Sequence, residues 1–332
     1  MSTLADVARR AGVSTATASR IINGSSKPVA EALRERVLAA VAELQYVPNA
    51  QAQMLARSHR TIVGIIVHDV SDPYFAEITR GLQRVATEHG RLVIICNTYR
   101  DPERELEYIE VLHAHQAAAI ILAGSGYHDP AYAEKVGAKL RVYERTGGRV
   151  AVIGRHEKAG DAVVPDNEEG GFLVGDHLFS LGHTEIGVIA GPRILTTTTD
   201  RLAGLRRAAR KHGVQLPSRR IVYGNFDRDS GAAGAAKLLA AHPQITAIAA
   251  LNDSMAVGAL ACLRTTDRRV SVTGFDDMPI ARDVTPTLTS VRLPLAEMGA
   301  RAMTLALGDA SAEPRVERIG AELVPRDSTG PA

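Results

Sequence analysis

The sequence predicts an N-terminal all-α helix-turn-helix domain followed by an α/β core of two doubly wound parallel-sheet subdomains. Three observations carry this reading. The run TLADVARRAGVSTATASRIIN, residues 3–23, divides two short amphipathic segments with capping residues and a glycine; residues 1–60 are more basic than the rest; and from Thr61 onward short apolar runs alternate with amphipathic stretches in two successive series. At 332 residues the chain is too long for one compact domain by the usual prior.

In the first segment Thr3 can cap a short helix whose Leu4, Val7 and Ala8 share a face, and Gly12 supplies a left-handed stop. Ser14 then caps a second helix over 15–22. Its periodicity turns Ala18 and Ile22 toward the first helix and leaves Thr15, Ala16, Ser19 and Arg20 facing out. Two short helices joined by a Gly-containing turn can place the second in the DNA major groove. Arg20 alone among these side chains has a fork that can grip guanine O6 and N7 together, while Thr15, Thr17 and Ser19 can donate to phosphate or touch a thymine methyl. A third helix, about 31–44, carries Leu33, Val37, Val41 and Leu44 on one stripe and closes a three-helix core.

Pro48 blocks continuation of that third helix, Asn49 is a good N-cap, and residues 50–56 form a helix of barely two turns. Helices under about a dozen residues rarely persist alone in water, so this one is expected to order only when something packs on it. Leu55, pushed between base steps of a minor groove, would supply that packing and kink the duplex. The domain plan is therefore 1–47 helix-turn-helix, 48–60 hinge helix and linker, and 61–332 core.

The core opens with IVGIIV (62–67), LVIIC (92–96), AAIIL (118–122) and VAVIG (150–154), which read as buried parallel strands, each followed by a helix; Phe75, Ile78, Leu82 and Val85 mark the apolar stripe of the first helix. A second series has strands near 186–190, 221–223, 246–251 and 270–275, alternating with helices near 168–181, 201–212, 230–241 and 255–263. Ligands of such sheets sit beyond the carboxyl ends of the strands. Loops starting at His68, Ala123, Gly154, Gly191, Gly224, Asn252 and Asp276 should therefore converge on one cleft.

Charge sorts with these domains. Residues 1–60 hold eight Lys/Arg against four Asp/Glu, so of the net +2 the first sixty residues carry +4 and the remainder −2. A basic module on a near-neutral body suits a polyanionic partner. Cys96 and Cys262 lie far apart in apolar surroundings with no metal or redox spacing and are expected to be buried reduced thiols. There is neither a signal-peptide stretch nor a run of about 20 apolar residues, so a cytoplasmic, non-membrane protein is expected.

Seven motifs, TLADVARRAGVSTATASRIING, YVPNAQAQMLA, DPYFAEI, LGHTEIGVIAGP, DRLAGL, LNDSMAVGAL and VTGFDDMPIARDVTPTLTSV, stand in an order that resembles the lactose-repressor (LacI/GalR) family of bacterial transcription regulators over nearly the whole chain. The resemblance implies a periplasmic-binding-protein-like core with an N-subdomain of about 61–160 and 290–322 and a C-subdomain of about 161–289 and 323–332, joined by a three-crossing hinge. It further implies a homodimer on palindromic double-stranded operator DNA, regulated by a small-molecule, sugar-like effector and needing no cofactor or metal. Effector binding would close the two halves, shift the dimer interface and move the paired hinge helices.

Carried over residue by residue, Arg20 matches the family's base-reading arginine, Thr15 and Ala16 occupy the positions that set operator preference, and Leu55 matches the wedging leucine. The DNA-contacting set is Ser14, Thr15, Ala16, Thr17, Ser19, Arg20, Asn23, Asn49, Leu55 and Ala56. Tyr74, Phe75, Arg201, Phe226, Asn252 and Asp276 match effector contacts. A carboxylate, an amide and a guanidinium can hold vicinal hydroxyls while aromatic rings cover an apolar sugar face. The chain departs from the pattern in three places. A purine-binding member has arginine at the position of Leu195, which argues against a purine here; the stretch LRTTDRRVSVTGFDD is shorter than usual; and the lactose repressor's sugar-binding aspartate is Gly154, followed by Arg155 and His156. Arg155 joins the effector set as a cation that would admit a sugar acid or phosphate.

Other functions compete less well. A solute-binding protein of the same core fold, without a regulatory role, is the alternative, against which the DNA module argues. For an enzyme, paired Asp276 and Asp277 invite acid–base chemistry, but no Gly-x-Ser-x-Gly elbow or P-loop is present. His113 and His115 are two apart on a predicted helix and point to different faces, and His183 is expected to fix a turn. The short tail after Leu323 lacks the heptads of a tetramerising coil, which favours a dimer.

Overall fold

Local signals build the first unit as expected. In the computed structural model, which describes residues 2–22, 29–47, 60–156, 160–311 and 313–332, Thr3 and Asp6 form a capping box at the start of α1 (Leu4–Ala11): Asp6 N donates to Thr3 Oγ1 at 3.3 Å and Thr3 N donates to Asp6 Oδ2 at 3.0 Å. Gly12, at φ 64°, stops α1 in the left-handed conformation. Ser14 accepts from Thr17 N at 3.1 Å and opens α2 (Thr15–Ile22). α3 (Glu31–Glu43) closes the bundle through Val37 and Ala40 against Val7, Ala8, Ala11 and Ala18, with Ile22 and Val41 at the margin. An Arg10–Glu43 ion pair of 2.7 Å ties α1 to α3.

The second unit, Thr61–Ala332, holds two six-stranded sheets. The first has the order β11-β5-β4-β3-β1-β2, from β1 (Ile62–Val67), β2 (Leu92–Asn97), β3 (Ala119–Ala123), β4 (Arg149–Ile153), β5 (Asp161–Pro165) and β11 (Val316–Ile319). Every pairing in it is parallel. Helices α4 (Pro73–Glu88), α5 (Pro102–Ala114) and α6 (Pro130–Arg145) follow its first three strands, each beginning with Pro at N1 behind an Asp cap. Alternation along β1 and β3 assigns the faces: Val63, Ile65, Ala119 and Ile121 pack with Ile78 and Leu82 of α4, while Ile66, Ile120 and Leu122 pack with Ile109 of α5 and Leu140 of α6.

The second sheet has the order β12-β10-β9-β8-β6-β7, from β6 (Ile186–Ala190), β7 (Ile221–Tyr223), β8 (Ala247–Ala250), β9 (Ser271–Asp276), β10 (Thr289–Arg292) and β12 (Glu322–Val324), only β12 being antiparallel. Its helices are α7 (Asn167–Ser180), α8 (Thr196–Lys211), α9 (Arg228–Ala241) and α10 (Asp253–Leu263), with the short α11 (Ile280–Asp283) after β9. The final helix, α12 (Leu295–Leu307), returns to the first sheet beside α4. Glycines let helix pairs meet backbone to backbone. A Cβ on Gly81 would lie 1.7 Å from Ala296 O, one on Gly204 1.8 Å from Glu168 O, and one on Gly258 2.0 Å from Arg228 O.

The tertiary structure corrects several expectations. Because β5 pairs with β4 and β11, the first crossing follows Pro165 rather than residue 160; because β10 pairs with β9, the second follows Arg292 rather than residue 289; the third falls between Ile319 and Glu322. β2 is an edge strand, not a buried one, and leaves Leu92 62% exposed. α8 begins five residues before the expected 201, because the β-branched run 196–199 is held by packing and by Thr199 Oγ1 donating to Leu195 O at 3.1 Å. Cys96 and Cys262 are free and half-buried, not buried. No helix among the described residues is long and apolar enough to cross a membrane.

Candidate functional site

In the N-terminal unit, Thr15, Ala16 and Arg20 are exposed on one side of α2, with Thr17 and Ser19 half-buried and Ser14 exposed at its cap. Asn23, Asn49, Leu55 and Ala56 lie outside the described residues.

In the core, strand ends from both sheets surround a cavity with an empty volume of about 730 Å3, part of it open to solvent. Tyr74, Phe75, Arg201, Phe226, Asn252 and Asp276 all line it. Asp72 caps α4 by accepting from Tyr74 N at 3.0 Å, which sets Tyr74 and Phe75 in the first turn, their rings edge to face at 5.0 Å. From the second sheet, Arg201 projects from α8. Its Nη2 donates to Asp276 Oδ1 at 2.9 Å, its Nε to Asn167 Oδ1 at 2.8 Å and its Nη1 to Leu251 O at 2.5 Å, while Phe275 covers the guanidinium at 3.6 Å.

Asn252 has a structural duty and a site duty together. Its Oδ1 accepts from Met255 N at 2.9 Å and caps α10, and its Nδ2 donates to Phe226 O at 2.8 Å, fixing the aromatic residue that faces the cavity. Gly191 makes room for that ring, since a Cβ there would stand 2.1 Å from it. Asp253 and Asp277, in contrast, serve the framework. Asp253 accepts from Met278 N at 2.7 Å and Ser290 Oγ at 2.5 Å, and Asp277 is held by Arg326 at 2.6 Å and Arg292 at 2.8 Å.

Backbone strain concentrates at this cavity. Phe226 (φ 61°), Asp276 (φ 107°), Asp277 (φ 49°), Tyr99 (φ 53°) and Arg100 (φ 60°) all take positive φ without being glycine. Such residues cost roughly 1–3 kcal/mol each and persist where surrounding structure over-determines them.

Burial governs the electrostatics. It pushes the Asp276 carboxyl up to about 7, against the pull of Arg201. His68, which also lines the cavity, is pushed down to about 4 by burial and then by the Arg100 charge. Burial likewise raises Asp72 and Glu105 and lowers Arg100 and His156.

Arg155 is the sequence-predicted contact that the structure does not bring in. Its Nη2 and Nε donate to Asp200 at 2.6 and 3.2 Å, so the fork is occupied by α8 and lies off the cavity wall. The neighbouring His156 lines the cavity instead, its Nε2 3.0 Å from Gly124 O. Gly154 sits at φ 106° where a Cβ would fall 2.3 Å from Gly124 O, so no side chain fits at this position. The loop that crowds it is stitched across the cleft: Ser125 Oγ donates to Thr197 Oγ1 at 2.6 Å and Thr196 N to Gly126 O at 3.0 Å.

Sequence reasoning missed Asp72, Thr98, Arg100, Glu105 and Tyr127 as lining residues. Asp72 opens the motif DPYFAEI and caps α4 in the structure. The signal for Thr98 and Arg100 was the carboxyl end of the strand 92–97, whose loop belongs with the other strand-end loops. Among the described residues no cluster of side chains is suited to hold a metal ion. His183 is a structural tie, its ring bonding Thr246 Oγ1 at 2.8 Å and Gly330 O at 3.0 Å.

Comparison with known proteins gives this geometry a lineage. Residues 3–49 match the model described as bacterial regulatory proteins, lacI family, and residues 175–329 match a periplasmic binding protein-like domain. The HTH-type transcriptional regulator GalR of Escherichia coli (strain K12) is 35% identical over 323 residues, spanning 96% of this chain and 92% of that protein. The chain belongs to the lacI family of bacterial regulatory proteins. It is a DNA-binding transcription regulator, and the family is not one of enzymes. Among solved structures, the lac repressor dimer bound to operator and the anti-inducer ONPF superposes with a TM-score of 0.86 at 27% identity, with 99% of each chain covered. A complex of the transcriptional regulator CelR with cellobiose superposes at 0.72 with 30% identity, covering 99% of this chain and 100% of that one. As a lacI-family member the chain carries both the helix-turn-helix and the two-sheet core.

Proposed function

We propose that this regulator represses transcription by binding a palindromic operator as a homodimer, with an affinity set by a sugar-like effector in the core cavity. The carrying observation is the buried Arg201–Asp276 pair, flanked by Asn252 and by the rings of Tyr74, Phe75 and Phe226. A guanidinium and a carboxylate already joined to each other form a neutral polar floor. Such a floor exchanges hydrogen bonds with hydroxyls without demanding a charged ligand, and the rings cover apolar ring faces. The relatives support this reading: a lac repressor dimer binds operator, and CelR binds cellobiose. On the DNA side, Arg20 reads a base edge, Thr15 and Ala16 meet the groove, and Ser14, Thr17 and Ser19 position the helix on the backbone. Asn23, Asn49, Leu55 and Ala56 complete the proposed contact set.

Regulation requires that the effector prefer one state of the core, because a ligand that binds both states equally shifts nothing. The test is selection of sites from random double-stranded DNA by the full chain, followed by gel-shift titration of the winning site with and without a panel of mono- and disaccharides. Expected are two-fold symmetric sites and at least one sugar that changes operator affinity by about tenfold or more, a response that Asp276→Ala abolishes. Asymmetric sites would refute the symmetric dimer. An effector response that survives Asp276→Ala would remove the cavity assignment.

A further inference from the structure

Arg100 is a cation that nothing in the family comparison assigns. It follows edge strand β2, and two successive residues, Tyr99 and Arg100, take left-handed backbone to turn its side chain into the cavity. Nη1 donates to Asn225 O at 2.8 Å across the cleft, and the guanidinium stands 5.8 Å from the centre of the Phe226 ring. Among the described residues, no carboxylate lies within ion-pair distance of it, and Nε and Nη2 have no hydrogen-bond partner. The other cations of the region are occupied: Arg201 by Asp276, and Arg155 by Asp200. Beside Arg100, His68 holds a buried Nδ1 with no hydrogen-bond partner among the described residues.

A half-buried guanidinium without a contacting carboxylate is unfavourable until an anion or an array of acceptors meets it. Two nitrogens of one fork have no hydrogen-bond partner among the described residues, and a carboxylate or phosphate can fill such a fork bidentately. Asp72, the carboxyl whose charge acts most strongly on Arg100, and Glu105 also line the cavity; burial raises both toward the neutral form, in which they bond ligand hydroxyls and oppose an anion at Arg100 less. We propose that the effector is an acidic sugar derivative, its carboxylate or phosphate held by Arg100 with His68 alongside, and its hydroxyls on Arg201, Asn252 and Asp276. This rests on the sugar-effector reading above and names the ligand class within it.

The experiment is calorimetric titration of the full chain with matched probes: glucose and galactose, their uronic and aldonic acids, and their 6-phosphates. For at least one acid or phosphate the wild type is expected to bind about tenfold or more tighter than to its parent sugar, as a charge-assisted bidentate contact implies. Uronates and aldonates against 6-phosphates separate the two sources of the anion. Arg100→Gln should remove that preference while changing parent-sugar affinity less than about threefold, and Arg155→Gln should leave the preference intact. An unchanged melting temperature and operator affinity in Arg100→Gln shows that the variant folds. Parent sugars binding as tightly as every acid, or a preference that persists in Arg100→Gln, would overturn the anion assignment and leave the sugar reading standing. Binding of none of the probes would overturn both.

Discussion

Arg201 and Asp276 meet at 2.9 Å with both side chains 3% exposed, the one Arg–carboxylate pair at the cavity in which both partners are this deeply buried among the described residues. The pair bridges α8 to the end of β9, so the second subdomain presents its polar floor as a rigid unit. Burial makes the Asp276 carboxylate expensive to form and the Arg201 charge offsets that only in part, which is why Asp276 is pushed up to about 7 from the ordinary 3.8.

That shift has a stability consequence with a definite sign. The folded chain keeps a proton on Asp276 at pH values where the unfolded chain has lost it. The group therefore contributes an unfolding free energy that falls as pH rises from about 4 to about 7 and is level outside that window. The slope is at most about 1.4 kcal/mol per pH unit. Urea titrations across that range should show a steeper decline in the wild type than in Asp276→Asn, which cannot ionise; equal slopes would mean that the carboxyl is already charged throughout.

Gly154 offers a packing prediction. Gly154→Asp, which restores the residue type of the lactose repressor, places a Cβ 2.3 Å from Gly124 O at a positive φ. The loop 123–128 must move or the backbone must strain, and the variant should lose more than about 2 kcal/mol of stability. A melting temperature within a degree of wild type would show that the loop yields freely.

Arg155 should behave oppositely. Its partner Asp200 is a quarter exposed and Arg155 itself nearly half exposed, and such ion pairs contribute under about 1 kcal/mol. Arg155→Ala is expected to unfold within that margin of the wild type and to bind effector with unchanged affinity, measured by calorimetry. A large loss of effector affinity would return Arg155 to the site.

On DNA, Arg20→Ala should cost roughly 1–3 kcal/mol and relax preference at one base pair per half-site, whereas Ser19→Ala should weaken all sequences alike. Competition gel shifts over single-base operator variants measure both. An Arg20→Ala protein with undiminished preference at every position would remove it from base reading.

What was legible in the sequence is what neighbouring residues decide among themselves. Thr3, Gly12 and Ser14 cap and stop α1 and α2 through bonds that span three or four residues, and the unbroken apolar runs at 62–67 and 118–122 mark strands buried on both faces whatever they pair with. The strand-end loops then marked where a cleft would form, because a parallel sheet sends all its carboxyl ends to one edge, and the family resemblance supplied the six residues that line it. Tertiary structure alone decided the rest. Whether 92–97 is central or at an edge depends on which strand lies beside it, and that placement put Arg100 in the cavity and left Leu92 exposed. Arg155 and Arg100 are alike as sequence, each a cation beyond a strand end. Asp200, brought up by α8, occupies the first, and among the described residues no carboxylate pairs with the second. Which charge remains available to a ligand is set by partners tens of residues away, and no local pattern encodes it.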